Sequence, residues 1–426
     1  MYLFGLSLNK NKLCRAKNII HQNQIMKNRL QGIFGVLAIA GLVIFASCED
    51  EKIIEVIVSP IVNVDSIKTE AVKQYAEIVY QSYVDSKTQA DALKTAIDNF
   101  VVTPTETNFA LAKNAWLIAR VPYGQTEVYR FYMGPIDAEP GGPEGDLNSW
   151  PLNESYIDYV EGMPEGGIIN DVTITITEAY LRSNNAQDVD EVNVSIGYHA
   201  IEFLLWGQDD GDASKLTSGN RSFTDYTTAD NATRRGEYLK ICAEMVSDDL
   251  QILVDAWKPD VFDNYRATFV ADDKKALESI LTGMGSLSKA ELGGERMNVA
   301  LVNHDQEDEH SCFSDNTHTD IAMNAKGIQN AFLGTYIATN GTAYNGAGLY
   351  HVILAVDTDL AEKMKKELEV SVKCTNNIQA PFDFEISSDN PTGNKRVRDA
   401  ITALQSQANT MVDIATKLGL TINTDG

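Results

Sequence analysis

Basic side chains are scarce in this 426-residue chain: 35 Lys and Arg stand against 60 Asp and Glu. Residues 1–48 carry six of those basic groups and no acid, so the remainder holds 29 against 60, a formal charge of −31. A protein that grips a phosphate backbone needs a basic footprint, and this deficit excludes one, so no nucleic-acid partner is expected. Cysteine is equally thin. Beyond Cys48 there are only Cys242, Cys312 and Cys374, widely spaced and odd in number, which is no disulfide framework; one pair and three free thiols both remain open. No Cys-x-x-Cys, Walker loop or dinucleotide fingerprint occurs, and the absence of His-Glu-x-x-His removes the common zinc-protease helix. Proline is sparse as well, with 11 residues. Together with 44% hydrophobic residues at helical spacing, that excludes a disordered acidic tail. The length exceeds one typical core and predicts two domains.

The one long apolar run, Ile33 to Phe45, follows Lys27 and Arg29 and closes on Ala46-Ser47-Cys48. It is short for a membrane span, and small residues before a cysteine suit processing, so it reads as a lipoprotein signal peptide. Cys48 then becomes the lipidated N-terminus, anchoring the protein in a bacterial cell envelope. The signal starts naturally at Met26, and residues 1–25 read as an over-extended start, so 1–48 is leader. Residues 49–65, opening with Glu49-Asp50-Glu51, read as a solvated tether.

Helical periodicity dominates the chain beyond the tether. Ile67, Val72, Tyr75, Ile78, Val79 and Tyr83 share one face, with Ser66 or Asp65 as the expected cap. Ser86-x-x-Gln89 predicts a new helix start, and Thr103-Pro104-Thr105-Glu106 another, giving three antiparallel helices. From Gly134 to Asn170 the pattern breaks into Pro, Gly and acidic residues, a long loop of the kind that carries function or a partner surface. Residues 172–176 fit a short strand or a capped helical turn equally well. Helices are expected again at 192–206 and through Tyr238 to Trp257, with Lys258-Pro259-Asp260 as the stop. Beyond it come a helix through Leu277 to Met284, a Ser288-x-x-Glu291 box, and helices over 323–335, 358–372 and 397–414. The expected fold is all-α, as two helical bundles over 66–258 and 259–426.

The segment that carries chemistry is Gly197-Tyr198-His199-Ala200-Ile201-Glu202, inside a helix apolar on nearly every side and therefore buried. His199 and Glu202 are three apart and share a face. A buried carboxylate there demands a cation, an arginine or several donors, and a His with a carboxylate one turn away is half of a usual metal site. Gly197 is costly inside a helix, which points to a backbone or ligand close by. A structural hydrogen bond and a ligand role both account for the pair.

A second polar concentration, Asn303 to His318, holds His304, His310 and His318 among carboxylates. If helical, it aligns His304, Glu307 and His310; otherwise it is a solvated acidic loop. A third group is Tyr123, Glu127 and Arg130, with Arg296 further on. Glu127 and Arg130 can pair locally, and either guanidinium can serve as the partner of Glu202.

Gly197, His199 and Glu202 reproduce the Gly-x-His-x-x-Glu hallmark of the imelysin-like family, the insulin-cleaving membrane protease or iron-regulated protein A group, which this chain resembles. The likeness extends through Tyr123 to Asp137, Gly207, Arg221 to Tyr226, Gly294 to Met297 and Asp305 to Asp320. It implies a duplicated four-helix-bundle architecture, an envelope or periplasmic setting, and a link to iron. It also implies a metal site, with His199, Glu202, His310, Asp305 and Glu127 as candidate ligands and Gly197, Arg130, Arg296, Ser311 and His318 around them. A divalent metal, iron before zinc, or a small metal-bearing ligand is the expected occupant, held between the bundles. The other activity the family name implies is a metallopeptidase working through His199 and Glu202, with Glu202 or another carboxylate as the catalytic group; such an enzyme needs about three ligands, an open position and a base.

Overall fold

Apolar side chains at three- and four-residue spacing from Val72 to Phe100 close a single helix, α1 (Val64–Val102), about 58 Å long at 1.5 Å per residue. The computed structural model describes residues 63–186, 191–209, 213 and 216–425; the leader, Cys48 and most of the tether lie outside them. Asn63 caps α1 by accepting from the Ser66 amide at 3.3 Å, ahead of both caps expected from the sequence. The break expected at Ser86 does not occur. That residue is fully buried, and its hydroxyl donates to the Ser82 carbonyl one turn back, so the chain stays helical.

Helix α2 (Glu106–Thr126) starts at Thr105, which accepts from the Asn108 amide. With α3 (Gly197–Trp206) and α4 (Ala232–Trp257) it completes a first group of four helices. Helix α5 (Asp273–Ser286) runs on without a break into a π-helical stretch, Leu287–Val299, and a last turn, Ala300–Asn303. Helices α6 (Thr317–Leu333), α7 (Thr358–Thr375) and α8 (Pro391–Leu418) pack with it as a second group. Among the described residues the fold is all-α apart from a small hairpin, Thr335–Ile337 paired with Ala343–Asn345, tied to α1 where Tyr336 and Thr339 donate to Asp85. The described residues from Asn63 onward make one compact unit with a shared core.

The Ser288-x-x-Glu291 pattern is another helix start that the structure removes. Ser288 sits inside the wide π turn, donating to the Met284 carbonyl and accepting from Gln407 of α8. The wider turn also changes which side chains meet. In an α-helix residues five apart point in different directions, whereas here Arg296 Nε donates to Glu291 Oε1 at 3.0 Å.

The two groups of helices join along α2 and α6, where glycine permits close approach. A Cβ on Gly327 would stand 2.4 Å from the Gln125 carbonyl oxygen. Asn324 uses the contact to donate to the Gly124 carbonyl at 2.9 Å. The irregular stretch from 134 to 170 is pinned to the bundle at its C-terminal end. Asp158, fully buried, receives Arg221 and Arg235, while Arg234 donates to the carbonyls of Ile168, Ile169, Asp171 and Ile174. Residues 172–176 form no strand; they lead into a short helix, Glu178–Ser183, capped by Thr177. Cys242, Cys312 and Cys374 are all free thiols.

Candidate functional site

Every residue of α3 is buried, and its start explains the glycine. The expected helix over 192–206 begins only at Gly197, whose φ of +91° belongs to glycine. A Cβ there would stand 2.8 Å from the carbonyl oxygens of Asp146 and Leu147. The close neighbour is thus the backbone of the 134–170 stretch, which lays Asn148 and Trp150 beside the histidines.

One turn on, His199 Nδ1 lies 2.9 Å from Glu202 Oε2. The other oxygen, Oε1, accepts from both the amide and the hydroxyl of Ser314, at 3.0 and 2.7 Å. Burial raises the Glu202 carboxyl to about 8, against the pull of Ser314 and Arg120. Burial likewise pushes His199 well below its ordinary value, with His310 and Arg120 adding repulsion. Below about pH 8 the carboxyl therefore carries a proton and donates to Nδ1, which puts the histidine's own hydrogen on Nε2. Above it, Nδ1–H donates to the carboxylate and Nε2 is a bare lone pair. In both states His199 Nε2 is a buried polar atom with no partner.

The His310 ring meets the His199 ring edge to face, with centroids 4.7 Å apart, and the indole of Trp150 flanks it at 5.2 Å. The hydrogen bonds around His310 form a closed circuit. Arg120 Nε and Nη2 donate to Asp320 Oδ1 and Oδ2, at 3.2 and 2.9 Å. Arg120 Nη1 donates to Asn148 Oδ1 at 2.7 Å, which orients the amide so that its NH2 faces His310 Nε2 at 3.2 Å. Nε2 is then the acceptor, so Nδ1 carries the proton and donates to Asp320 Oδ2 at 2.9 Å. The Ser311 hydroxyl donates to the same oxygen. Burial and the charge of Arg296 lower His310 to about 4, so it is neutral near pH 7. Burial alone would raise Asp320, but Arg120 and His310 outweigh it and hold the carboxylate far below its usual range.

A second charged group sits beside this circuit. Glu127 Oε2 receives Arg296 at 2.6 Å and Arg130 at 3.3 Å, and Arg296 also donates to Asn324. Arg130 reaches Glu144 and, more distantly, Glu291. The two guanidinium groups override burial and bring Glu127 down to about 2. Neither Arg130 nor Arg296 pairs with Glu202, which is served by Ser314 instead.

The structure thus brings His199, Glu202, His310, Gly197 and Ser311 together, and sets Glu127, Arg130 and Arg296 next to them as an ion cluster in which Arg130 Nε alone is left without a partner. Asp305 lies elsewhere: it is exposed and caps the turn Gln306–Asp308 by accepting from Glu307. The helical alignment of His304, Glu307 and His310 fails, because the chain leaves the helix at His304 with φ +55° and turns. His318 bonds the Asp315 carbonyl and the Thr319 hydroxyl. Four further residues, Arg120, Asn148, Asp320 and Ser314, do not stand out in the sequence. Arg120 had a signal, a charged residue four after Trp116 on the core stripe of α2. Nothing local marked Asp320 as its partner.

A metal held by protein side chains alone does not fit these residues. Both oxygens of Glu202 and both nitrogens of His310 are engaged, and among the described residues no three His, Cys, Asp or Glu side chains converge as a cage. His199 Nε2 supplies one donor once the His199–Glu202 pair has given up a proton. A surface groove of about 510 Å³ lined by Gln89, Asn99, Asn108 and Ile118 lies on the outer faces of α1 and α2, away from this core.

Comparison with known proteins agrees with this architecture. The profile of the imelysin family, Peptidase M75, matches residues 79–411. A curated relative, iron-regulated protein A from Synechococcus elongatus, is 24% identical over 356 residues, covering 79% of this chain and 82% of its own. Among solved structures, one described as an iron-regulated protein A precursor from Parabacteroides distasonis superposes with a TM-score of 0.64 at 21% identity, covering 83% of this chain and 95% of its own. An imelysin-like protein from Psychrobacter arcticum gives 0.59 at 12% identity, covering 85% and 98%. These two likenesses are of fold.

Proposed function

Because the chain belongs to the imelysin family, we propose that it is an iron-related protein of the bacterial envelope, anchored through Cys48, whose polar core around His199 takes a small metal-bearing ligand. The observation that carries this reading is the unpartnered Nε2 of His199 in a fully buried setting. An orphaned buried nitrogen costs stability unless something completes it. A ligand that brings its own donors needs only one from the protein, and the core offers it when the metal displaces the Nε2 proton and Nδ1–H donates to an ionised Glu202. Glu202 and Ser314 then position the imidazole rather than ligate, as second partners of metal-bound histidines do. The curated relative's name, iron-regulated protein A, supports iron over zinc.

The metallopeptidase reading draws on the family's name alone. Hydrolysis calls for about three protein ligands, and of the imidazoles and carboxylates brought together around His199 only His199 Nε2 is open.

Elemental analysis decides the matter. The chain from residue 49, purified without a His tag, is compared with its His199→Ala variant after exposure to ferric citrate. Retained iron that the variant loses supports the reading. Equal iron in both, or none in either despite a folded protein, overturns it.

A further inference from the structure

Apart from the imidazole itself, the buried polar atoms left without a partner around His199 can all donate a hydrogen bond: the hydroxyls of Tyr123 and Tyr198 and the Nε–H of Arg130. The carboxylates beside them, Glu127, Glu202 and Asp320, already receive the bonds described above. Tyr123 and Tyr198 are fully buried, with ring centroids 4.9 Å apart, and the Arg120 guanidinium lies 5.2 and 5.1 Å from those centroids. The same guanidinium comes within 3.4 Å of His310 Nδ1, and the His310 ring touches that of His199, so the phenols border the two imidazoles. Arg130 adjoins them through Glu127, four residues after Tyr123. Phenylalanine would fill the space of either tyrosine without placing a hydroxyl in an apolar setting, a cost that stands unless something accepts from it.

We propose that the organic part of the ligand at His199 is a polycarboxylate, whose anionic oxygens accept from Tyr123, Tyr198 and Arg130. This rests on the reading of His199 as the metal's one protein donor and adds the chemistry of what carries the metal. A guanidinium Nε can only donate, and a phenol keeps its proton at neutral pH, so what the three groups lack in common is an acceptor. Anionic oxygens meet that need with charge-assisted hydrogen bonds. Three donors on separate side chains call for several such oxygens on one molecule. A carrier with nitrogen ligands and a hydrocarbon surface would leave all three donors unsatisfied.

The test is calorimetric titration of the folded chain from residue 49 with iron-free citrate at pH 7, beside trimethyl citrate, which keeps the skeleton and lacks the charge. Citrate should bind the wild type and the ester should not. The Tyr123→Phe, Tyr198→Phe double variant should bind citrate roughly tenfold or more weakly, because hydrogen bonds to a charged group are lost. Its denaturation midpoint should be unchanged or raised, since neither hydroxyl has a partner within the protein. No citrate binding by the wild type, a double variant within twofold of it, or an ester that binds as tightly as citrate overturns the proposal and leaves the donors to buried water. A clearly lowered midpoint would mean that the hydroxyls are bonded within the protein, and would overturn it too. No iron is present, so the outcome is read apart from the His199→Ala comparison. Iron retention that depends on His199, with citrate binding indifferent to the phenols, would keep the reading of His199 and overturn only the polycarboxylate.

Discussion

His199 and His310 meet edge to face at 4.7 Å, one on α3 of the first helical group and the other on the turn that leads into α6 of the second. The two rings are held by different devices. His199 depends on its own helix through Glu202, whereas His310 depends on a circuit that starts from α2 at Arg120 and returns through Asp320 on α6. The core is therefore assembled only when both groups of helices are docked, and its polar residues report on that docking.

Asp320→Asn tests the circuit. The change keeps the shape but leaves Arg120, fully buried, without its carboxylate, and breaking one side of a buried pair costs about 3–5 kcal/mol. Urea denaturation should show a loss of that size. Replacing both Arg120 by Met and Asp320 by Leu should recover much of it, since no charge is then stranded. A loss below about 1 kcal/mol for Asp320→Asn would mean that the arginine finds another partner.

Alongside Asp320, Glu127 gives rise to part of the dependence on acid. Its carboxyl is held at about 2 in the folded protein, below its ordinary 4.5, so folding favours the ionised form. Such a group contributes stability that is complete above the unfolded value and is lost as pH falls through the folded one. The window is therefore pH 5 to 2, and the contribution is on the order of 3 kcal/mol. Denaturation midpoints should fall steeply across that window. In Glu127→Gln the protein should be less stable at pH 7, with a shallower slope between pH 5 and 2. An unchanged slope would show that other groups carry the acid limb.

The sequence revealed the helical class and the His199–Glu202 pair for one reason: both are local signals, a 3.6-residue period and two polar residues on an otherwise apolar helix. Ser86 and Ser288 misled for the same reason. A Ser-x-x-Gln or Ser-x-x-Glu pattern marks a helix start only where the helix ends, and inside a continuing helix the hydroxyl bonds the preceding turn. The π stretch escaped because a period of 3.6 cannot describe it, and with it went the Glu291–Arg296 pairing. Asp320 and Ser314 escaped because their partners, Arg120 and Glu202, lie 200 and 112 positions away. Asp305 fails for a local reason: the family resemblance offered it as a ligand, but the backbone turn at His304 directs it to solvent.

Ser314→Ala separates positioning from ligation. The hydroxyl donates to Glu202 Oε1 at 2.7 Å, and the Ser314 amide keeps its own bond to that oxygen. Losing one of two donors should cost about 1 kcal/mol of stability. If Glu202 acts by orienting His199, iron retention after ferric citrate should fall in Ser314→Ala, though less than in His199→Ala. Full retention in Ser314→Ala would show that the imidazole holds its orientation without that hydrogen bond.

Gly197→Ala asks whether the first residue of the motif serves the ligand or the backbone. Its φ of +91° strains any residue with a Cβ, and that atom would stand 2.8 Å from two carbonyl oxygens, so something must shift. The expected loss is about 2 kcal/mol or more, read from the denaturation midpoint. Because the carbonyls belong to Asp146 and Leu147, the strain should be transmitted to Asn148, the residue that sets the tautomer of His310. NMR of the imidazole nitrogens should then show His310 losing its single tautomer in the variant. A wild-type His310 spectrum together with the stability loss would confine the role of Gly197 to the start of α3.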